Sequence, residues 1–289
     1  RALAGPATVT DAGGPVDEVA DAVVAAAGMH IEVRVHSATD VGLVRSVNED
    51  SFLVAPPIFI VADGMGGHQH GDRASRECVE AFASLAGPGA TSIDQVLDAI
   101  QRANVRVLDI AGDDFAGTTL TGVALVDAGN GVGVMWMVFN VGDSRVYAID
   151  ELGVEQVSVD HSAVQELIDA GAITELEALT HPERNVVTAA IGNPDVEPDV
   201  WLLPVTGRQR FLICSDGLTK ELDHGQIVSI IHGGAPDENL ATTLVSRVLT
   251  GAATDNVTVI VIDAISRFDD TEAIPAHLEQ TFPRVRSRS

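Results

Sequence analysis

Four aspartates stand where apolar runs stop or start. Asp63 follows IFIVA, Asp216 follows FLICS, Asp143 lies between VMWMVFNVG and SRVYAID, and Asp255 comes immediately before NVTVIVIDA. Three have a glycine neighbour, in Asp63-Gly64, Gly142-Asp143 and Asp216-Gly217. Glycine there permits a sharp turn and lets a carbonyl approach a ligand closely. One Asp-Gly pair after a strand signals only a turn. Four carboxylates on converging strand ends would repel one another unless protonated or neutralised by cations. Oxygen-only clusters suit hard divalent ions such as Mg²⁺ or Mn²⁺, and the chain has no Cys or His cluster with zinc spacing. Two such ions, bridged by a carboxylate at roughly 3.5–4 Å, acidify a shared water, hold the hydroxide in line and neutralise a phosphoryl group. A phosphate ester also calls for a cationic fork. Arg45, in TDVGLVRSVNED, offers two parallel hydrogen bonds where lysine offers a point charge. In so polar a loop it is equally a candidate for a surface ion pair.

The elements that must position these residues are mostly strands. IEVRVHS, SFLVA and IFIVADG are β-type runs bounded by Gly, Pro, Asn or Asp. Helical spacing follows at 71–87 and at 91–112, the second with Thr or Ser in N-cap position. TLTGVALVDAG and GVGVMWMVFNVG flank Asn130-Gly131, a type I′ hairpin signal. SRVYAID and VEQVSV repeat the hairpin pattern. Between Asp160 and Pro182 two short helical pieces, AVQELIDAG and TELEALTH, break the strand rhythm and read as an insertion above the sheets. VWLLPV, RQRFLICSDG and NVTVIVIDA are further strands, with helices over DHGQIVSIIHGG and DENLATTLVSRVLTGA. Hairpins without regular βα alternation predict an α+β layered fold. Residues 1–29 read as a lead-in, flexible or carrying one short helix over PVDEVADAVVAAAG. Residues 266–289 read as a C-terminal tail.

Composition narrows the partners. The 289 residues carry a formal charge of −25, which excludes nucleic acid and anionic membranes, because both demand clustered Lys and Arg. No apolar stretch reaches the roughly 18 residues of a spanning helix, and no secretion signal is recognisable, so a cytoplasmic location is expected. Cys78 and Cys214 sit in apolar runs and read as buried thiols.

Seven motifs then fall in one order: TDVGLVRSVNEDSF, VADGMGGHQHGDRAS, Gly117-Thr118-Thr119, FNVGDSRVY, VDHS, CSDGLT and TDNVTVIVI. Over about residues 31–264 the chain resembles bacterial metal-dependent Ser/Thr protein phosphatases of the PPM, or type 2C, family. The look is that of actinobacterial catalytic domains that oppose Ser/Thr kinases. The resemblance implies a four-layer α-β-β-α sandwich of two antiparallel sheets flanked by helices, with a catalytic domain at 30–265 and a flap at about 160–185. It implies a phosphoprotein phosphatase that hydrolyses phosphoserine and phosphothreonine by direct attack of a hydroxide bridging two metal ions. It implies two core Mn²⁺ or Mg²⁺ ions and a third. Asp63 would bridge the core ions, the Gly64 carbonyl would bind one, and Asp216 and Asp255 would complete the set. Glu49 would act through water, Asp50 would brace the loop, Asp143 with Asp216 would hold the third ion, and Arg45 would grip the substrate phosphate. Expected partners are phosphorylated Ser/Thr proteins, including a Ser/Thr kinase and its substrates, met by a monomer. One departure stands out: Met65 follows the Asp-Gly pair where eukaryotic members have a histidine, and a thioether donates no proton. Water, His68 or His70 would take that role, while His161 and His181 read as flap structure. A catalytically silent relative and a phosphatase for small phosphometabolites are the competing readings.

Overall fold

Both faces of most strands are covered, so their apolar runs are continuous rather than alternating with polar residues. The computed structural model describes residues 8–9, 16–26, 28–66, 70–111, 116–150, 153–234 and 238–268. In chain order the strands are β1 Thr8–Val9, β2 Val16–Ala26, β3 Met29–Asp40, β4 Asp50–Ala55, β5 Ile58–Met65, β6 Thr91–Ser92 and β7 Gly117–Thr118. They continue with β8 Leu120–Asp127, β9 Val134–Val141, β10 Arg145–Asp150, β11 Gly153–Gln156, β12 Asp199–Pro204, β13 Arg208–Cys214 and β14 Val257–Phe268. The helices are α1 Gly71–Glu80, α2 Ile93–Ala111, α3 Ala163–Asp169, α4 Glu175–Ala178, α5 Asp216–Glu221, α6 His224–Gly233 and α7 Leu240–Leu249.

One sheet runs β1-β4-β5-β8-β9-β12, with β6 and β7 at its margin, and the other runs β11-β10-β13-β14-β3-β2. Apart from β6 beside β8, which is parallel, the ladders are antiparallel. The period-2 alternation of side chains sorts each strand between two cores. On β5, Ile58, Ile60 and Ala62 pack against Cys78 of α1 and Ile100 of α2, while Phe59 and Val61 enter the core between the sheets. On β13, Phe211 and Ile213 join that central core, and Leu212 and Cys214 pack beneath Leu218, Ile227 and Leu244 of α5, α6 and α7. Three cores between four layers make the expected α-β-β-α sandwich.

Local signals explain the turns. Asn130 and Gly131 take φ of 52° and 76°, and Val132 N–H donates to the Gly129 carbonyl at 2.9 Å, closing a type I′ turn. At the start of α2, Ser92 Oγ accepts from Gln95 N at 3.2 Å and Gln95 Oε1 accepts from Ser92 N at 3.0 Å, a reciprocal capping box. The helix read over 71–87 is shorter: α1 ends at Glu80, and Phe82 turns into the core to stack on Phe139 at 5.9 Å.

The lead-in departs from expectation. Its supposed helix is strand β2, paired with β3 from Val16↔Thr39 to Ala26↔Met29 through a turn at Gly28. An Ala-rich segment has good helix propensity, but a full-length partner strand supplies a ladder that overrides it. The boundaries drawn at 29/30 and 265/266 consequently fall against or inside the second sheet, since β14 continues to Phe268. Most of the tail, residues 269–289, lies outside the described residues.

Candidate active site

The insertion after β11 leaves and rejoins the body at one point, through the Ser162↔Val187 bridge and the Thr188 N–H to His161 carbonyl bond at 2.9 Å. Its returning segment sets Asn185 and Val187 on the wall of a cavity of about 480 Å³. The same cavity is lined by Arg45, Glu49, Asp63, Gly64, Asp143, Asp216 and Asp255. Every residue singled out as a ligand or phosphate fork is therefore brought to one place, although they lie on five separate segments of chain.

The backbone explains why they meet. Asp63 ends the apolar part of β5, where its N–H donates to Thr119 Oγ1 and its carbonyl accepts from Thr119 N and Thr118 Oγ1, each at 2.9 Å. At Gly64 a Cβ would lie 2.1 Å from the Gly71 carbonyl oxygen and 2.6 Å from that of Glu49. Only glycine fits between these two backbones. Asp50 pairs with Asp63 across β4 and β5, and its Oδ2 accepts from Ser215 Oγ at 2.8 Å and Thr258 Oγ1 at 2.7 Å. One buried carboxyl thus ties the first sheet to β14 and to the end of β13 in the second. Asp50 braces more than its own loop.

Asn256 secures the loop that carries Arg45. Its Nδ2 donates to the Val41 and Val47 carbonyls, each at 3.0 Å, and its Oδ1 accepts from Glu49 N at 2.8 Å. Arg45 Nε lies 2.9 Å from Asp255 Oδ1, so the arginine is both cavity-lining and ion-paired. The two sequence readings of Arg45 describe one residue.

Electrostatically the cluster is under load. Burial, and then repulsion from Asp50, Asp216, Asp143 and Asp255, holds the Asp63 carboxyl well above its ordinary range. Burial also raises Asp216, with Lys220 opposing, and Glu49, with Arg45 opposing. Asp216 Oδ1 is buried with no donor group reaching it. Asp255 behaves oppositely: burial would raise it, but Lys220 Nζ at 2.7 Å, Arg45 Nε and the Asn256 N–H hold it below its ordinary value. Among the described residues no three Asp, Glu, His or Cys side chains close on a common point as a ready-made metal site. The Lys220 ammonium bridges two of the acids, Asp216 and Asp255.

Two carboxyls make this load measurable. Asp50 and Asp143 are each pushed from 3.8 up to about 7, first by burial; Asp216 and Asp160 add repulsion at Asp143. The folded state binds these protons more tightly than the unfolded chain. The stability they contribute is complete below pH 3.8 and is lost as pH rises through about 7. In chelator, Asp143→Asn should therefore show a flatter fall of Tm across that window than wild type. Parallel curves from thermal melts would assign the titration elsewhere.

Sequence reasoning missed three residues. Thr119 belongs to the Gly117-Thr118-Thr119 motif, Asn256 adjoins Asp255, and Lys220 follows Asp216 by one helical turn, the spacing that signals a shared face. His70, offered as a proton donor, does not line the cavity. His161 accepts from Gly142 N and faces Asp199, and His181 Nδ1 accepts from Glu183 N in the flap turn. Among the described residues no histidine lines the cavity, whereas Met65 does; His68 lies outside the described residues. Cys78 and Cys214 are buried thiols, raised by burial.

A carboxylate-lined cavity at one end of a four-layer sandwich is the architecture of a known class, and the chain belongs to the protein phosphatase 2C family, whose model matches residues 44–244. Among individual proteins it is similar to the serine/threonine protein phosphatase PstP of Mycobacterium tuberculosis, 34% identical over 239 residues, covering 81% of this chain and 45% of that protein. It therefore spans less than half the length of that relative. A serine/threonine phosphatase of Listeria innocua is 33% identical over 251 residues, covering 81% of this chain and 96% of its own. Two solved structures share the fold. The catalytic domain of PstP in complex with two manganese ions superposes with a TM-score of 0.72 at 31% identity, over 81% and 99% of the two chains. The Mycobacterium smegmatis phosphatase MsPP in complex with cacodylate gives 0.70 at 36% identity, over 83% and 98%.

Proposed function

We propose that this chain is a divalent-metal-dependent phosphatase acting on phosphoserine and phosphothreonine in proteins. The observation that carries the proposal is the convergence of Asp63, Asp143, Asp216, Asp255 and Arg45 on one cavity of a type 2C fold. The donor set fits hard cations. It is all oxygen, and Asp216 Oδ1 is buried without a donor. Asp63, the Gly64 carbonyl, Asp216 and Asp255 would hold two Mn²⁺ or Mg²⁺ ions, Glu49 would reach them through water, and Asp143 with Asp216 would take a third. Bound there, the ions supply Lewis-acid activation of water and neutralise phosphoryl charge.

The chain's own groups do the rest. Thr118 and Thr119 fix the backbone on either side of the Asp63 carboxyl. Arg45, with its side chain 49% exposed at the rim, presents a guanidinium to the outer phosphate oxygens, and Asn256 fixes the loop from which it reaches. Asn185 and Val187 bring the flap over the cavity, where it meets the polypeptide around the phosphorylated residue. Met65 donates no proton, so the leaving alkoxide takes its proton from water. We assign the catalytic unit to β3 through β14, residues 29–268, with the flap at about 160–185, and β2 as a structural addition to its second sheet. Among the described residues no helix is long and apolar enough to cross a membrane; we infer a cytoplasmic monomer whose substrates include a Ser/Thr kinase and its targets.

The test is hydrolysis of phosphoserine and phosphothreonine peptides by metal-stripped protein. Turnover should appear with Mn²⁺ and fall by about a hundredfold or more in chelator. Metal-independent turnover, or none at any Mn²⁺ concentration, would overturn the proposal.

A further inference from the structure

Lys220 is the single lysine in the chain, and the proposed reaction does not use it. It lies at i+4 from Asp216 on α5, so the two side chains share a helix face. Its ammonium contacts Asp216 Oδ2 and donates to Asp255 Oδ2 at 2.7 Å. These are two of the carboxylates assigned to the cations. Asp255 is fully committed, because its Oδ1 takes Arg45 Nε at 2.9 Å and its own loop's Asn256 N–H at 3.0 Å. An ammonium is a compact charge with three donors, and here it bridges the oxygens that a divalent ion would need.

We propose that Lys220 is an internal counter-ion that competes with divalent cations for Asp216 and Asp255, setting the metal affinity of the site and holding the acid cluster together when it is metal-free. The inference rests on the metal-binding reading above. It makes metal entry an exchange: the ammonium leaves as the ion arrives. Room for that exchange exists, since the Lys220 side chain lines the cavity and is 29% exposed. Asp143 lines the same cavity and offers the displaced ammonium another acceptor.

The proposal predicts opposite signs for two properties of one variant. A neutral side chain at 220 removes the competitor, so metal binds more tightly, and it also unshields the acids, so the metal-free protein is less stable. Isothermal titration of Mn²⁺ into chelator-stripped protein reads the first, and thermal melts in chelator and in Mn²⁺ read the second. Lys220→Met should bind Mn²⁺ at least about tenfold more tightly than wild type, the change that one close charge contact makes to an equilibrium. It should melt lower than wild type in chelator and recover in Mn²⁺. Lys220→Gln, which keeps a donor for Asp255 without the charge, carries the same expectation should the methionine variant fail to fold without metal. Lys220→Arg should stay near wild-type affinity. A folded neutral variant with unchanged or weaker Mn²⁺ affinity would overturn the proposal, as would an arginine variant that binds as tightly as the neutral ones. Wild-type protein that binds no Mn²⁺ would instead bring down the metal-binding reading itself.

Discussion

Asp63→Asn is expected to lower kcat/KM on a phosphothreonine peptide by about a thousandfold or more, near 4 kcal/mol of barrier, with the fold intact. The substitution is nearly isosteric, and the groups that hold residue 63 are backbone N–H and C=O bonded to Thr118 and Thr119. Those bonds survive the change. What disappears is a carboxyl whose ionisation Asp50, Asp143, Asp216 and Asp255 all oppose. In chelator the variant should therefore melt no lower than wild type. Activity assays with Mn²⁺ and melts in chelator separate the two effects. A variant that keeps a tenth of wild-type activity would remove Asp63 from the reaction, and one that melts well below wild type would show that the carboxyl is structural.

Gly217→Ala has the largest expected effect on stability. A Cβ at Gly217 would stand 1.9 Å from the Asn256 carbonyl oxygen, with Val257 Cα at 3.3 Å. Backbone atoms give way far less readily than a side-chain tip. Relief requires moving α5 away from the start of β14, which separates Asp216 from Asp255 and disturbs the Asn256 side chain that clips the Arg45 loop. The cost should be about 3 kcal/mol or more, at the upper end for overpacking, seen as a lower urea midpoint. Activity should fall further than stability alone accounts for. Gly87→Ala, where nothing lies within 4 Å of the added methyl, is the matched control and should be close to neutral. Equal midpoints for the two variants would mean that the close approach at Gly217 is easily relaxed.

Much of the fold was legible because its strands are local. IFIVA and FLICS are apolar runs with sharp ends, and Asn130-Gly131 needs only two positive φ angles to declare a hairpin. The lead-in was not legible for the opposite reason. Nothing in PVDEVADAVVAAAG encodes β3, the partner whose ladder makes the segment a strand. Similarly, α1 stops at Glu80 because Phe82 finds Phe139, a residue 57 positions away in the chain.

The candidate site divides in the same way. The sequence alone determined which residue types stand at the strand ends: Asp63, Asp143, Asp216 and Asp255, with glycines beside three of them and Arg45 in a polar loop. Tertiary structure alone decided that these residues line one cavity, that Asp50 ties the two sheets together beneath it, that Asn256 holds the Arg45 loop, and that Lys220 bridges Asp216 and Asp255. The physical reason is range. Strand ends and turns follow from backbone preferences over a few residues, whereas burial, repulsion among carboxyls and the seating of an ammonium between two of them arise only once the register of two packed sheets has put distant segments a few ångströms apart.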